Sequence, residues 1–255
     1  MQRRKFIASA AAASTLPLSA VAVNQSTNQP TTAEEKELYE LRTYHLKWGG
    51  NQQLLLDYLK DALKPAMLRA GSNHFILFNS VAPDGPKKLY ALISYPNMAT
   101  YLGAQNLNND RVYAAAAIEY SANLKTIYNR YESWLLHAFD AFPVLQMADD
   151  LDAVFELRTY ESSNEDALRR KIKMFNEEEV PIFKDAGLEP VFFAEMLAGP
   201  YRPALTYMIH TKDMATSVEG WKNFLKHPDW NRIKVMSEYA NTVSNIRNVF
   251  LQVAG

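Results

Sequence analysis

The sequence predicts an α+β protein made of two tandem copies of one β-α-β-β-α-β unit. The main observation is internal repetition, because residues 39–44, Tyr-Glu-Leu-Arg-Thr-Tyr, return 116 positions later as Phe-Glu-Leu-Arg-Thr-Tyr. At this offset 14 of the 63 positions from Leu38 to Thr100 are identical, against about 4 for unrelated sequences of ordinary composition. A constant offset of domain length indicates a duplication. Within each copy, alternating and helical periodicities follow one another in a fixed order.

In the first copy the elements follow from periodicity and from helix-breaking residues. Leu38–Leu46 alternates with a period of two and predicts a strand, whereas Asn51–Ala70 has helical spacing and ends before Gly71. Pro65 is expected to kink this helix or to begin a second segment. Two β-rich stretches around a turn at 83–86, two helical stretches and a last strand complete the copy: His74–Ala82, Lys88–Tyr95, Asn97–Leu107, Asp110–Ile127 and Tyr131–Phe139.

The second copy has the same order of elements. They are predicted at Ala153–Glu161, Glu165–Ala186, Pro190–Ala198, Ala204–Thr211, Met214–Lys226, Asp229–Val243 and Asn245–Val253. This order is the ferredoxin-like unit, an antiparallel sheet with its helices on one face. Because the other face of each sheet needs a cover, we expect the two sheets to pack together in one α/β barrel.

The amino terminus predicts an export signal. Arg3, Arg4 and Phe6 stand in an Arg-Arg-x-Phe-Ile sequence that resembles the twin-arginine signature, and an uncharged, alanine-rich run follows to Val23. A membrane anchor is the alternative reading, although Pro17 interrupts the run and its length is marginal for a bilayer. We therefore expect a signal peptide at 1–22 and a disordered polar spacer at 23–36. The repeats are expected at 37–140 and 152–255, with a linker at 141–151.

Composition excludes several classes of function. The chain has no cysteine, which excludes disulfides, thiolate metal sites and cysteine nucleophiles. Without the basic residues of the export signal, 24 basic side chains stand against 28 acidic ones, so nucleic acid is not an expected partner. Outside the signal, no stretch approaches the length of a membrane span. The protein is therefore expected to be exported, in a Gram-negative bacterium to the periplasm, and to be held together by its cores.

Three motifs together resemble the NIPSNAP family, which lies within the dimeric α/β-barrel superfamily. They are the duplicated Tyr-Glu-Leu-Arg-Thr-Tyr, the Pro and Ala-Gly that close the first helix of each copy, and Leu-Lys-His-Pro-Asp-Trp at 225–230. The resemblance covers nearly all of residues 37–253 and implies an intramolecular dimeric α/β barrel. It also implies an adaptor or small-ligand-binding protein without an agreed enzymatic activity. The wider superfamily includes cofactor-free monooxygenases, isomerases and haem enzymes.

The family motif at 227–230 is complete only in the second copy. The first copy has Asn-Asn-Asp-Arg at 108–111 in place of His-Pro-Asp-Trp. A role for His227, Asp229 and Trp230 would therefore be confined to the second half of the chain. Because His227 precedes a proline in a helix-helix corner, the favoured interpretation is a cap or turn contact beside Trp230.

The duplicated motif also supplies the main candidate site residues. Glu40, Arg42 and Tyr44, like Glu156, Arg158 and Tyr160, alternate along a strand and project from one face. If the intervening apolar residues face the helices, these two trios line the barrel interior, where each Glu must pair with an Arg. The favoured interpretation is a cross-strand ion pair that holds the sheets in register. The alternative is an arginine fork that binds a carboxylate or an enolate.

The histidines predict no metal site. None of the five has a second histidine two or four residues away, so the usual local spacing of metal ligands is absent. His74 and His210 fall within strands, where either could project into a cavity as a general base. No cofactor is predicted, and no catalytic residue can be named.

Two functional hypotheses follow. The first is an exported module for small-molecule binding or assembly, whose barrel holds a small apolar ligand, with a homo-oligomer left open. The second is a cofactor-independent monooxygenase or isomerase that acts on a small apolar or aromatic substrate in a barrel cavity. A cavity of about 300 Å³ or more lined by the Glu-Arg-Tyr trios would favour the second hypothesis, and a filled barrel would count against it.

Overall fold

The computed structural model describes residues 36–81, 88–124 and 127–254, except for the side chains of residues 123 and 124. It confirms the predicted fold, because two ferredoxin-like repeats form one closed barrel of eight antiparallel strands. The expected signal peptide, the turn at 83–86 and all but the last residue of the spacer lie outside the described residues. Within those residues, no helix has the length and apolar character needed to cross a bilayer.

The first repeat spans β1 to β4. Its elements are β1 (Leu38–Leu46), α1 (Gln52–Asp57), a π-helical segment (Tyr58–Leu63), α2 (Lys64–Arg69), β2 (His74–Ser80), β3 (Lys88–Tyr95), α3 (Met98–Ala104), α4 (Arg111–Leu124) and β4 (Tyr128–Ala138). The last strand begins three residues earlier than the sequence predicts, because Tyr128 and Arg130 extend the ladder by pairing with Leu46 and His45 of β1.

The second repeat spans β5 to β8. Its elements are β5 (Val154–Glu161), α5 (Glu165–Met174), a π-helical segment (Phe175–Glu179), α6 (Val180–Asp185), β6 (Glu189–Ala198), β7 (Ala204–Thr211), α7 (Met214–Lys226), α8 (Pro228–Ile233), a 3₁₀ turn (Ser237–Tyr239) and β8 (Asn245–Val253). The predicted helix at Asp229–Val243 is wrong beyond Ile233. There Arg170 binds the carbonyl oxygens of Glu238 and Ala240, and Asn241 has a left-handed φ of 56°.

The π-helical segments occupy matching places in the two repeats, just before Pro65 and Pro181. Proline has no N–H to give to the preceding turn, and its ring clashes with the carbonyl group four residues earlier. A wider turn before each proline relieves that clash without ending the helix. Pro65 therefore does begin a new helical segment, α2.

The barrel closes because each repeat completes the other. Around the barrel the strands follow the order β1-β3-β2-β8-β5-β7-β6-β4. The edge strand β2 pairs with β8 of the second repeat, and β6 pairs with β4 of the first. Neither sheet therefore keeps an open edge, and the repeats are related by a pseudo-twofold axis along the barrel.

The central strands β1, β3, β5 and β7 are buried on both faces, whereas β8 and the first half of β4 are largely exposed. Apolar side chains from all eight strands fill the barrel interior in one cluster that includes Tyr39, Leu41, Phe155 and Leu157. The opposite face of each sheet packs against the helices of its own repeat in two further clusters, one of which contains Tyr44 and the other Tyr160. Alternate residues of one strand thus belong to different cores.

The segment between the repeats closes one end of the barrel, which we call the linker end. Leu145 and Ala148 join the interior cluster where β1 and β5 begin. The buried carboxylate of Glu37 holds this segment by accepting the backbone N–H of Leu145 at 2.7 Å and the amide of Asn73 at 2.6 Å. We call the opposite end, where β1 and β5 finish, the open end.

An ion pair in the second repeat replaces two leucines of the first. Lys171 donates to Glu179 at 2.7 Å, and both side chains are almost fully buried. The equivalent positions in the first repeat hold Leu55 and Leu63, both in the core. Burial raises the pKa of Glu179. The lysine nitrogen lies 4.8 Å from the centre of the Phe175 ring, so aromatic contact and the carboxylate together replace its water.

Replacing both Lys171 and Glu179 with leucine should give a protein that is as stable as the wild type or more stable by up to about 4 kcal/mol, because the desolvation cost of both ions is removed. Lys171→Leu alone should destabilise it by about 3–5 kcal/mol, because Glu179 is then buried without a partner. Urea unfolding of the three proteins measures these differences. A double variant less stable than the wild type would contradict the prediction.

Candidate functional site

The two Glu-Arg-Tyr trios do not line the barrel interior, and the expectation that they would is wrong. Tyr44 packs with helix residues such as Leu59, and Tyr160 with Phe175, whereas the intervening Tyr39 and Leu41 fill the barrel. The trios therefore lie between each sheet and its own helices. Both faces of the strands are buried, so alternation identifies two faces without showing which one faces the barrel.

In the first repeat the ion pair is formed within one strand. Arg42 donates from Nε and Nη2 to the two carboxylate oxygens of Glu40, at 2.7 and 2.9 Å. Glu40 also accepts from the hydroxyl groups of Tyr95 at 2.9 Å and Ser133 at 2.7 Å. Although burial opposes ionisation, the hydrogen bonds and charge of Arg42 lower the pKa of Glu40 overall.

The second repeat keeps the pair with different partners. Arg158 donates from Nη1 to Glu156 at 2.6 Å, and Glu156 also accepts from Trp221 Nε1 at 2.7 Å and from Asn248 at 3.2 Å. The guanidinium group of Arg158 lies 4.4 Å from the centre of the Trp221 ring. By the repeat offset Trp221 is equivalent to Gln105, which lies 3.4 Å from Glu40.

Both pairs attach a helix to the outer face of its sheet. Each glutamate binds an arginine two residues away, a residue of the last strand, and a residue at or near the end of α3 or within α7. Each pair therefore lies within one strand. The favoured interpretation, a cross-strand ion pair that holds the sheets in register, is wrong. Glu40 occupies the Nε–Nη2 edge of the Arg42 guanidinium group, so that edge is not available to a carboxylate ligand.

His74 and His210 project toward the barrel interior near the linker end. His74 Nδ1 lies 3.0 Å from the hydroxyl oxygen of the fully buried Ser94. The His210 ring lies 5.6 Å from that of Phe155, and burial lowers the pKa of His210. Both histidines are partly exposed, and neither lines a described pocket.

The family-motif corner caps a helix. His227 precedes α8, and its Nδ1 accepts the backbone N–H of Asp229 at 3.2 Å. Trp230 packs 5.0 Å from the ring of Phe224, and Arg232 joins Asp229 to Glu178. These contacts fix the α7-α8 corner. Across the described ranges, no group of three or more His, Cys, Asp or Glu side chains is arranged to bind a metal ion.

A pocket of about 140 Å³ lies at the open end of the barrel. Its walls combine residues from both repeats, which sequence reasoning did not select: Thr43, Lys88, Tyr90, Glu132, Trp134, Leu157, Thr159, Tyr201, Arg247, Asn248 and Val249. Thr43 and Thr159 are equivalent in the two repeats, and their small side chains leave room where larger residues fill the linker end. We call this the mouth pocket.

Tyr201 and Arg247 form one side of the mouth pocket. The Tyr201 ring meets the Trp134 ring edge to face at 5.3 Å, and the guanidinium group of Arg247 lies 4.3 Å from the Tyr201 centroid. Arg247 Nε donates to Glu161. Trp134 is buried, yet its indole N–H has no acceptor among the described residues.

Glu132 and Tyr90 also line the mouth pocket. Glu132 accepts from Arg130 at 2.8 Å and lies 3.0 Å from His45 Nε2. Although burial opposes ionisation, Arg130 and His45 lower the pKa of Glu132. Burial raises the pKa of Tyr90 to about 12, so both groups hold their ordinary charge state at neutral pH.

The mouth pocket could have been located only in part from the sequence. Thr43 and Thr159 are equivalent residues of the duplicated motif. The repeat therefore already implied that these two residues lie close to the pseudo-twofold axis. Tyr201 comes from the loop after β6 and has no tyrosine counterpart in the first copy, where Gly85 stands at the matching position. Nothing in the local pattern places Tyr201 over Trp134.

The NIPSNAP family model matches residues 39–139 and 155–254, the two repeats described above. The chain belongs to the NIPSNAP family. Comparison with curated proteins finds no match to the sequence. Solved structures with a similar fold include two proposed monooxygenases.

One of these is from Lactobacillus acidophilus NCFM, with a TM-score of 0.54, 12% identity and coverage of 86% of this chain and 94% of that chain. The other is from Fusobacterium nucleatum, with a TM-score of 0.56, 10% identity and coverage of 86% and 92%. A NIPSNAP domain protein of Burkholderia xenovorans matches one repeat, with 15% identity over 40% of this chain and 94% of that chain and a TM-score of 0.35. At these identities the likeness of the two larger proteins extends to the barrel fold alone.

The lowered pKa of Glu40 predicts a loss of stability in acid. A carboxylate whose pKa is lower in the folded state stabilises the protein above its ordinary value of 4.5, and this contribution disappears as the pH falls below that value. Glu40→Gln should therefore reduce the dependence of the urea midpoint on pH between about 5 and 3. The exposed Glu119→Gln is the control and should keep the wild-type dependence. Equal slopes for all three proteins would show that Glu40 makes no such contribution.

Proposed function

We propose that this NIPSNAP-family protein is an exported small-molecule-binding module whose ligand occupies the mouth pocket. The observation that carries the proposal is the difference between the two ends of the barrel. The linker end is filled by Leu145 and Ala148, whereas the open end keeps a pocket of about 140 Å³ on the pseudo-twofold axis. A cavity of about 150 Å³ with apolar walls is large enough for benzene. The ligand is therefore small, of the size of a single ring.

The buried indole of Trp134 supports binding at this place. A buried N–H without an acceptor costs about 1–3 kcal/mol. Such groups are rare in folded proteins unless water or a ligand satisfies them. Trp134 lines the mouth pocket, but its Nε1 has no exposed surface, so a ligand acceptor reaches this donor only after the neighbouring side chains shift.

The alternative function, a cofactor-independent monooxygenase or isomerase, gains less support from the same pocket. A general base works best with a pKa near the operating pH. Tyr90, with a pKa of about 12, and Glu132, with a lowered pKa, lie on opposite sides of that range. The pocket is also smaller than about 300 Å³, the lower end for ordinary ligand sites, and neither arginine of the duplicated motif lines it. Binding without turnover is therefore the function that we propose.

Export remains part of the proposal, supported by the Arg-Arg-x-Phe-Ile sequence and the uncharged run behind it. Transport of a folded protein suits a chain that contains no cysteine and so needs no oxidative step after export.

Filling the mouth pocket should abolish binding. Val249→Trp adds an indole at the position equivalent to Trp134, and we expect it to remove both the response to benzyl alcohol in titration and any small molecule retained in native mass spectrometry. Val218→Trp, on the exposed face of α7, should leave both unchanged. The thermal midpoint of each variant checks folding. If the folded wild type neither retains a small molecule nor responds to benzyl alcohol, the proposed function is wrong.

Changing the two arginines of the export signal should block export. The twin-arginine signal is read by a receptor, so Arg3→Lys combined with Arg4→Lys should leave the precursor in the cytoplasmic fraction. Lys5→Arg keeps both arginines and should be exported normally. Cell fractionation and immunoblotting measure the distribution. Normal export of the double variant would exclude a twin-arginine route.

A further inference from the structure

The mouth pocket has an excess of positive charge. Its described lining contains two cationic side chains, Lys88 and Arg247, and one carboxylate, Glu132. Each of two lining groups has a partner outside the pocket, because Arg130 binds Glu132 at 2.8 Å and Glu161 binds Arg247, so one positive charge remains. A cationic ligand would therefore meet like charges and a carboxylate that is already engaged.

Arg247 is held in place while part of its guanidinium group stays available. Glu161 accepts from Nε, and the Tyr201 ring packs against the plane of the group. An arginine has five N–H donors in a planar fork that fits a carboxylate. Among the described residues no acceptor binds the Nη atoms of Arg247. The fixed stem and the unengaged Nη atoms suit the recognition of an anion.

The remaining walls are aromatic or small. Trp134 and Tyr201 meet edge to face at 5.3 Å, and Tyr90, Leu157 and Val249 complete an apolar lining. The indole N–H of Trp134 can only donate; it is covered by neighbouring side chains, so a ligand acceptor binds it only after these side chains shift. The pocket thus combines a flat apolar wall with donors, and its volume limits the apolar part to about one ring.

We infer that the ligand of the mouth pocket is a small aromatic carboxylate of about the size of benzoate, with its carboxylate toward Arg247 and the indole N–H of Trp134. This inference rests on the proposed function, because it names the chemical class of ligand for the same pocket. It assigns recognition to Arg247 and Trp134, neither of which belongs to the duplicated motif.

The test compares benzoate with benzyl alcohol, a neutral molecule of similar shape, and with inorganic phosphate, an anion without a ring. Each is titrated into the full-length ¹⁵N-labelled protein at pH 7 while the tryptophan indole N–H signals are recorded. Trp134→Phe identifies the Trp134 signal and keeps an aromatic wall, and Trp48→Phe, at an exposed residue, is its control. Benzoate should move the Trp134 signal downfield and bind about tenfold more tightly than benzyl alcohol, as expected for a charge-assisted hydrogen bond.

Variants separate recognition by Arg247 from the general charge of the open end. Arg247→Gln should weaken benzoate about tenfold and change benzyl alcohol less than about twofold. Lys47→Gln removes an exposed cation at the same end that does not line the pocket, and it should change benzoate binding less than about twofold. If Arg247→Gln fails to fold, Lys88→Gln is the second test. It changes the other cation of the pocket lining and should also weaken benzoate binding.

The outcomes distinguish the inference from the proposed function. Equal binding of benzoate and benzyl alcohol would overturn the inference that the ligand carries a carboxylate. The mouth pocket would still be a binding site. If phosphate shifts the Trp134 signal as much as benzoate does, the inference that the ligand is aromatic is overturned. No shift with any of the three probes would count against both the inference and the proposed function.

Discussion

Closure of the barrel is the constraint on which the rest of the structure depends. A ferredoxin-like sheet alone has two open edges and one uncovered apolar face, and both defects favour association with other chains. Here β2 pairs with β8, and β6 pairs with β4, so each repeat supplies the edges and the covering face of the other. Neither repeat is therefore expected to be stable alone. The central strands β1, β3, β5 and β7 become buried on two sides, with the barrel on one side and helices on the other.

This double burial explains where the polar groups of the strands lie and what they do. A glutamate and an arginine on the outer face of β1 or β5 are covered by helices, so they require partners that a solvent-facing strand would not need. Each repeat supplies them differently, through Tyr95, Ser133 and Gln105 in one and through Trp221 and Asn248 in the other. Both repeats keep the Glu-Arg pair but differ in its other partners. The attachment of helix to sheet is therefore retained in both repeats, although the surrounding residues have diverged. Lys171 and Glu179 show the same divergence within the helices.

The sequence predicts the fold well because the duplication and the order of elements are properties of local pattern. It predicts the site poorly, for two physical reasons. Alternation along Tyr39 to Tyr44 separates two faces, but both are buried, so hydrophobicity does not show which face meets the barrel. The mouth pocket depends instead on long-range neighbours: Trp134 of β4, Tyr201 of a loop and Arg247 of β8 meet only after closure. The helix predicted at Asp229–Val243 fails similarly, because Arg170 from α5 binds the carbonyl groups that would continue it.

The pseudo-twofold axis through the mouth pocket has a consequence for the shape of what can bind there. A symmetric homodimer must present two identical copies of every residue to a site on its axis, so an asymmetric molecule meets the same group twice. Fusion of the repeats removes this requirement. Glu132 and Arg247 occupy equivalent positions with opposite charge, beside Thr43 and Thr159 respectively. Likewise, Trp134 stands opposite the smaller Val249. A single chain can therefore bind a molecule with two unlike ends in one orientation.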